Sequence, residues 1–323
     1  MKHQLPQKTA WAESLPASYF EAMSEVIAES TKGWFTDTDR AEGYDKFLQA
    51  CFVYGRMDQC MTSVMPWVAA AIPDLANKTA LEIGCGNGTS TAPLAMHVRH
   101  VRAFDISEEG LIATRKRCDL LGVANVELFY RDTSWIDNYL ADPRTLGDTA
   151  PDVIFCYALF EHLTPVERIK LLRAAWADLA IGGHFIIVEC PNRLHWFDWH
   201  SSMLPFADAL PKDLALLWYG HSARTSIWQS IRPSSMEELA AVDRSQLYRF
   251  GRGASYHEFE IAIGGRFTLT AGPFSPQAIN RNNLLGYDIE WQTALENKLA
   301  GLTPPVPRDF AACCLDLVVT KTA

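Results

Sequence analysis

The chain has 323 residues, a formal net charge of −9, 48% apolar residues and 21% charged residues. This composition is typical of a folded protein and argues against disorder. No run of Lys or Arg could follow a phosphate backbone, so the acidic balance disfavours polymeric nucleic acid and anionic membrane surfaces as partners. We therefore expect a small-molecule partner, and the sequence leaves a homodimer open.

The eight cysteines include no Cys-x-x-Cys pair, and several lie in apolar runs that are typical of buried strands. The first residues lack the apolar stretch of a secretory signal, and nowhere do eighteen apolar residues run together. We expect a cytoplasmic protein. A metal site built from Glu189, Asp198 and His200 is conceivable, but no tight ligand spacing occurs, and we predict no metal.

The N-terminal quarter of the chain has the apolar spacing of helices. The pattern extends from Ala10 to Ile72 and is broken at Pro73. Residues 1–77 are therefore predicted to form a helical segment.

The next region, residues 78–190, alternates short apolar runs with amphipathic stretches, which predicts a parallel sheet in an α/β fold. Strands buried on both faces are largely apolar, as these are. The predicted strands are Ala80 to Ile83, Val101 to Phe104, Val126 to Tyr130, Val153 to Cys156, and His184 to Glu189. The predicted helices are Ser90 to His97, Glu109 to Leu121, a short one near Trp135, and Pro165 to Leu179.

Residues 191–252 are too long for an ordinary connection, and they hold four tryptophans: Trp196, Trp199, Trp218 and Trp228. We predict a lid or substrate insertion after the fifth strand. Residues 253–323 are predicted to complete the core, with a helix from Ser255 to Ile263 and strands from Arg266 to Ala271 and Cys313 to Thr320. A second insertion at about 272–309 is predicted to hold a helix from Asp288 to Leu299. Ser255 and Glu258 have the spacing of a capping box.

A glycine-rich loop follows the first predicted strand, in the sequence Leu-Glu-Ile-Gly-Cys-Gly-Asn-Gly at positions 81–88. Glycines at these places allow a tight turn and let a ligand lie against the backbone. The spacing differs from the dinucleotide pattern, since Thr89 stands where the third glycine would be. Together with Glu82, two residues before the first glycine, the loop resembles the first motif of class I S-adenosylmethionine (SAM)-dependent methyltransferases.

The resemblance covers residues 78–190 and implies a Rossmann-like doubly wound sheet that binds SAM. It assigns Glu82 and the loop residues Gly84, Cys85, Gly86 and Gly88 to the amino acid moiety of SAM. It assigns Asp105 to the ribose hydroxyls, Ile106 to the adenine ring, and Asp132 and Thr133 to the adenine amino group. Tyr157, which follows the fourth strand, is a further candidate for binding the cofactor. Arg56, in helices that often close over the cofactor in this family, is a candidate for the SAM carboxylate.

The segment with Glu161 and His162 resembles that of small-molecule O-methyltransferases related to ubiquinone and menaquinone biosynthesis. An alcohol acceptor needs a base, and histidine suits that role near neutral pH. We expect the base to be His200, oriented by Asp198, or else His162 or His195. These side chains could equally stabilise their own loops.

The predicted function is transfer of a methyl group from SAM to a hydroxyl or carboxylate oxygen of a small molecule, such as a sugar or a secondary metabolite. Two alternatives stay open. The glycine loop could serve an NAD(P)-dependent oxidoreductase, which the glycine spacing and Glu82 disfavour, or the chain could be a non-catalytic scaffold with this fold.

Overall fold

The computed structural model describes residues 4–142, 144, 148–198, 200–222, 233, 235–243, 251–272, 289–302, 310 and 312–323. Trp199, Trp228 and residues 273–288 and 303–309 of the second predicted insertion lie outside the described residues. The chain divides into two compact units. The first comprises residues 1–156 and 178–184, and the second comprises residues 157–177 and 185–323.

A seven-stranded sheet has the strand order β3-β2-β1-β4-β5-β9-β8. The strands are β1 Thr79–Ile83, β2 His100–Asp105, β3 Val126–Tyr130, β4 Val153–Tyr157, β5 His184–Pro191, β8 Phe267–Ala271 and β9 Cys314–Lys321. The pairs β1–β2, β2–β3 and β1–β4 are parallel, and β8–β9 is antiparallel. Because the strand order changes direction between β1 and β4, the sheet is doubly wound, and such sheets bind ligands beyond the carboxyl ends of their strands at this point.

The first unit begins with the predicted helical segment. Its helices are α1 Ala10–Glu13, α2 Ala17–Ser30, α3 Asp37–Glu42, α4 Tyr44–Ala50, α5 Arg56–Gln59 and α6 Met65–Ala71. Helix α2 buries Tyr19, Met23 and Ile27, which recur at four-residue spacing and form a core cluster with Val53 and Met57. Burial of this apolar face stabilises the segment.

Two π-helical turns, Cys51–Gly55 and Cys60–Val64, join α4, α5 and α6 into one continuous helical stretch. A π turn widens the helix and shifts its hydrogen-bond register, and such turns are frequent at functional sites. Pro66 stands just after the second turn, where its ring would clash with the carbonyl four residues earlier in a regular α-helix. Apolar spacing predicts the helix but not these two insertions.

The remaining helices of the first unit are α7 Thr91–Ala95, α8 Glu108–Leu120 and α9 Trp135–Ala141. Ser107 caps the N-terminus of helix α8, since its hydroxyl accepts a hydrogen bond from the backbone N–H of Gly110, and Glu108 and Glu109 lie in the first turn. Both features stabilise a helix N-terminus. The helix thereby starts directly after β2.

The second unit contains the helices α10 Pro165–Asp178, α11 Lys212–Trp218, α12 Met236–Ala241, α13 Tyr256–Ile263 and α14 Ile289–Ala300, of which Asp178 falls in the first unit. A short hairpin pairs β6 Phe197–Asp198 with β7 Leu204–Pro205. Within the predicted insertion, a small apolar cluster contains Leu204, Leu216, Tyr219 and Leu239. Trp218 is 43% exposed, so this tryptophan does not fill that core.

The strands and helices predicted from the sequence are confirmed to within a few residues at their ends, and the fold class is confirmed. The capping box at the start of α13 is wrong, because Ser255 makes no side-chain capping bond. The Glu258 carboxylate instead accepts hydrogen bonds from Arg168, at 2.5 and 2.9 Å. Among the described residues, no helix is both long and apolar enough to cross a membrane. The segment boundaries at 77, 190 and 252 stay predictions.

Candidate cofactor site and acceptor-side residues

The glycine loop connects β1 to α7 with three residues in left-handed backbone conformations. Gly84, Gly86 and Gly88 have φ angles of 74°, 53° and 77°. A Cβ atom at Gly86 would meet nothing within 4 Å, whereas one at Gly88 would lie 2.9 Å from Thr114. The open side of Gly86 can admit a ligand, and Gly88 is needed for close packing against α8.

Asp105 fastens the end of β2 to this loop. Its Oδ2 accepts the backbone N–H of Gly86 at 2.7 Å, and its Oδ1 accepts the N–H of Ser107 at 2.8 Å. Burial raises the pKa of Asp105, and these backbone hydrogen bonds lower it. Each carboxylate oxygen has a second lone pair, so the group can still accept hydrogen bonds from a ligand.

Two side chains of helix α8 donate hydrogen bonds to backbone carbonyls of the glycine loop. The Thr114 hydroxyl donates to the Gly86 carbonyl at 2.9 Å, and the Arg117 Nε donates to the Asn87 carbonyl at 3.0 Å. Gly110 lies so close that a Cβ there would be 2.7 Å from the Gly86 oxygen. The loop conformation is therefore set by α8 as well as by its own glycines.

Glu82 is fully buried at the end of β1. Its Oε1 accepts a hydrogen bond from the Ser90 hydroxyl at 2.5 Å, and its Oε2 has no hydrogen-bond partner among the described residues. Burial raises the pKa of Glu82 to about 7, while the nearby Ser90 and Thr91 hydroxyls lower it. An unpartnered carboxylate oxygen fits a ligand ammonium group.

The residues predicted to contact adenine lie at the surface of the first unit. Ile106 is 51% exposed, and Asp132 and Thr133 are exposed. The Asp132 Oδ1 accepts hydrogen bonds from the backbone N–H and hydroxyl of Ser134, which lower the Asp132 pKa. Arg56 is partly buried, with its guanidinium carbon 5.6 Å from the centre of the Phe52 ring. Contacts of these four residues with a cofactor stay predictions.

Tyr157 lies in the second unit, at the end of β4. Its hydroxyl donates to the Glu189 carboxylate at 2.8 Å. Glu189 has a φ of 61°, which is strained for a residue with a side chain, and its backbone N–H donates to Asp316 at 2.7 Å. From the sequence, Glu189 is a candidate only as a metal ligand. In the structure its backbone has a left-handed conformation, which the buried Asp316 carboxylate stabilises by accepting the Glu189 N–H.

Two of the candidate histidines lie close together in the second unit. The rings of His162 and His200 have centroids 6.2 Å apart in an edge-to-face arrangement. The His162 Nε2 lies 3.8 Å from the Glu161 carboxylate, which is buried. The structure thus brings two imidazoles and one carboxylate together from segments 38 residues apart along the chain.

The expectation that Asp198 orients the His200 ring is wrong. The Asp198 oxygens accept the backbone N–H groups of residues 200, 201 and 202 and the Ser202 hydroxyl, at 2.7–3.1 Å. Two-residue spacing in a tight turn places the carboxylate over the following amides, as in an Asx turn. Asp198 therefore fixes the loop that carries His200. The Ser201 hydroxyl lies 3.5 Å from the His200 Nδ1.

His195 is buried within its own loop. Its Nδ1 lies 2.9 Å from the Phe197 carbonyl oxygen and 3.3 Å from the Phe197 backbone nitrogen. The Nε2 atom is buried and has no hydrogen-bond partner among the described residues. Burial lowers the pKa of His195, and the bond to Phe197 raises it. The described His, Cys, Asp and Glu residues include no group of three that could hold a metal ion.

Comparison with known proteins shows that residues 80–183 match the family described as "Methyltransferase domain". These residues contain the glycine loop, Asp105, Asp132 and His162. This segment is therefore similar to methyltransferase domains.

Curated relatives resemble the methyltransferase domain in part of their length. A ubiquinone biosynthesis O-methyltransferase of Marinobacter nauticus is 32% identical over 114 residues, which are 35% of this chain and 44% of that protein. Phosphoethanolamine N-methyltransferase 1 of Triticum aestivum is 29% identical over 124 residues, which are 38% of this chain and 24% of that protein. The chain thus spans less than half the length of these two relatives.

Solved structures show the same kind of partial likeness. Haemonchus contortus phosphoethanolamine N-methyltransferase 1, in complex with phosphoethanolamine and S-adenosylhomocysteine, is 20% identical with a TM-score of 0.34. The likeness covers 56% of this chain and 33% of that chain.

Sequence reasoning misses several residues that shape the methyltransferase domain. Thr114 and Arg117 bind the loop from α8, but they are 28 and 30 residues from the carbonyls they contact. A polar residue inside a helix gives no local signal for such a contact. The only available signal is their spacing of three residues, which places both side chains on one face of the helix.

Proposed function

We propose that the chain is an enzyme that binds SAM at the Gly84–Gly88 loop and transfers the methyl group to an oxygen atom of a small molecule. The observation that carries the proposal is the pairing of Asp105 with Gly86. Asp105, at the end of β2, lies beside the open face of the loop. SAM needs this arrangement, because its ribose is joined directly to its amino acid moiety. The match of residues 80–183 to a methyltransferase domain supports it.

Each group of the site has a task in this proposal. Asp105 accepts hydrogen bonds from the ribose hydroxyls, and the unpartnered oxygen of Glu82 receives the ammonium group. Arg56 pairs with the carboxylate of the ligand, while Ile106, Asp132 and Thr133 contact adenine. Cys85 and Tyr157 complete the predicted set, Cys85 by packing beneath the loop, where it is buried. The buried Glu82 fits SAM better than a dinucleotide, because a pyrophosphate would be repelled by a carboxylate.

SAM supplies a methyl group on an already activated sulfonium, so the protein mainly aligns the acceptor and removes its proton. His200 and His162 are the proposed base and its partner, and His195 is the third candidate. The imidazole of one histidine can accept the proton of an acceptor hydroxyl. The neighbouring histidine and Glu161 can then stabilise the positive charge on the protonated imidazole. A carboxylate acceptor is already ionised and would need no base.

The acceptor is proposed to be a small hydroxylated or carboxylated molecule, such as a sugar or a secondary metabolite, with no nucleic acid or membrane as partner. Nitrogen is the second candidate for the acceptor atom, because the resemblance extends to phosphoethanolamine N-methyltransferases as well as to an O-methyltransferase. A cytoplasmic location and a homodimer remain part of the proposal.

Calorimetric titration with S-adenosylhomocysteine (SAH), SAM and NAD⁺ tests the cofactor. Binding of SAH and SAM without NAD⁺ supports the proposal, and binding of NAD⁺ alone overturns it in favour of an oxidoreductase. Methyl transfer from radiolabelled SAM to a catechol, a hexose and phosphoethanolamine then distinguishes oxygen from nitrogen acceptors. A protein that binds SAH but methylates no acceptor in a broad metabolite panel would instead be a scaffold with this fold.

A further inference from the structure

Arg117 is a fully buried cation in the first unit that forms no ion pair with a carboxylate among the described residues. Its hydrogen-bond partners in the described part of the chain are all neutral oxygen and sulfur atoms. Burying a charge without a counter-charge is costly unless its hydrogen-bonding groups are well satisfied. The position of this guanidinium therefore calls for a role beyond packing.

The guanidinium joins two parts of the first unit that are distant in sequence. On one side its Nε donates to the Asn87 carbonyl of the glycine loop at 3.0 Å. On the other side Nη1 donates to the Val53 carbonyl at 2.9 Å, and Nη2 donates to the Phe52 carbonyl at 2.5 Å. Nη1 also donates to the hydroxyl of Tyr19 in α2.

The second set of partners lies where the N-terminal helix is irregular. Phe52 and Val53 belong to the π turn Cys51–Gly55, in which the helical hydrogen-bond register shifts. The Arg117 guanidinium therefore donates hydrogen bonds to two carbonyls of this irregular turn and to the Asn87 carbonyl of the glycine loop at the same time. Only a planar group with several fixed donors can do so, because a lysine ammonium is a compact charge at the end of a flexible chain.

We propose that Arg117 is a positioning residue of the cofactor site, which couples the N-terminal helices to the glycine loop so that both respond to bound cofactor together. The proposal rests on the proposed function, because it assumes that SAM and SAH bind at this loop. Arg117 itself need not touch the ligand. It acts through the Asn87 carbonyl on one side and through the Phe52 and Val53 carbonyls on the other.

Two variants and two matched controls test the coupling. Arg117→Lys retains the charge but cannot reach all the acceptors. Tyr19→Phe removes one hydroxyl partner of Arg117 and retains the aromatic ring. Arg115→Lys is the control on the exposed face of the same helix. Tyr139→Phe is the control for loss of a buried tyrosine hydrogen bond, since the Tyr139 hydroxyl donates to the Asp178 carboxylate and not to Arg117.

The measurements are the SAH dissociation constant by calorimetry, the thermal midpoint, and hydrogen–deuterium exchange of residues 52–59 with and without SAH. We expect Arg117→Lys to weaken SAH binding about 10-fold or more and Tyr19→Phe to weaken it about 3-fold, as the loss of one or two hydrogen bonds would. SAH should slow amide exchange in residues 52–59 of the wild type and both controls but not of Arg117→Lys.

A merely structural role would lower the thermal midpoint without changing the SAH affinity or the SAH-dependent exchange. If Arg117→Lys and Tyr19→Phe bind SAH as the wild type does, the coupling proposal is overturned while the proposed function stands. If Arg117→Lys does not fold, the SAH affinity of Tyr19→Phe compared with that of Tyr139→Phe tests the coupling. Failure of the wild type to bind SAH would overturn the proposed function and this inference with it.

Discussion

Asp105 is bonded to the protein and, in the proposed function, also to the ligand. Its two oxygens receive N–H groups from Gly86 and Ser107, so removing the carboxylate disturbs the loop as well as the ribose contact. We expect Asp105→Ala to weaken SAH binding by about 1.5 to 3 kcal/mol, the range of hydrogen bonds to charged groups. Calorimetry measures this loss. The control is Asp119→Asn, an exposed acid on α8, and a loss of thermal stability without a loss of affinity would make Asp105 purely structural.

Glu82 gives the site a dependence on pH. The pKa of this buried acid is raised to about 7, so near pH 6 it is mostly protonated and near pH 8 mostly ionised. An ammonium group binds the ionised form, so SAH affinity should rise as the pH rises through 7 and then level off. In Glu82→Gln the affinity should be lower and flat from pH 6 to pH 8.

The same shift affects the protein without ligand in the opposite direction. Because the folded-state pKa lies above the unfolded value, Glu82 stabilises the fold at low pH, and that contribution is lost as the pH rises through 7. Glu82→Gln should therefore raise the thermal midpoint at pH 8 while it weakens SAH binding. 5′-Methylthioadenosine, which lacks the amino acid moiety, serves as the control ligand. A wild-type SAH affinity that is flat between pH 6 and 8 would contradict the assignment.

At the scale of the element, the glycines of the loop have two different roles: one leaves space for the ligand, and the other allows close packing against α8. Gly86→Ala places a methyl group in open space and costs only the strain of a left-handed backbone, about 1 to 2 kcal/mol. Gly88→Ala forces a methyl group to 2.9 Å from the Thr114 Cα, where nothing can yield easily. We expect Gly86→Ala to fold and to lose SAH binding, and Gly88→Ala to lose thermal stability first.

Thermal unfolding and calorimetry on the two alanine variants check this division of roles. Gly122→Ala is the control, because Gly122 also has a positive φ, of 66°, and open space but lies at the end of α8. If Gly86→Ala binds SAH normally, the open side of Gly86 does not face the ligand.

The elements themselves follow from local sequence. The strands before the glycine loop and Asp105 are mainly apolar runs, each followed by a polar or glycine residue, and the structure confirms them within one or two residues. Contacts between residues that are distant in sequence do not follow from local sequence. Ser255 and Glu258 have the right spacing for a local cap, yet Arg168, 90 residues away, binds Glu258 as a buried ion pair. A buried cation offers a stronger partner for a carboxylate than a backbone N–H does, and no sequence window contains both residues.

At the scale of the molecule, the residues proposed for SAM lie mainly in the first compact unit, and the candidate bases lie in the second. His162 and His200 approach each other there, while His195 and Asp198 are held inside their loop. Each histidine can therefore be replaced without changing Glu82, Asp105 or the glycine loop. Variants of the two units should consequently affect different steps.

We expect His200→Ala or His162→Ala to lower single-turnover methyl transfer about 100-fold to 10,000-fold while SAH affinity stays nearly constant, because a base acts on the acceptor and not on the cofactor. The rate is measured with an acceptor identified in the methylation panel, and SAH binding is measured in parallel. His195→Ala should have the smaller effect, since the His195 ring is buried and bonded to its own loop. His97→Ala, in the first unit, is the control for loss of an imidazole. Near-normal rates in all three candidate variants would mean that no histidine serves as the base, and the acceptor would then be a carboxylate, which is already ionised.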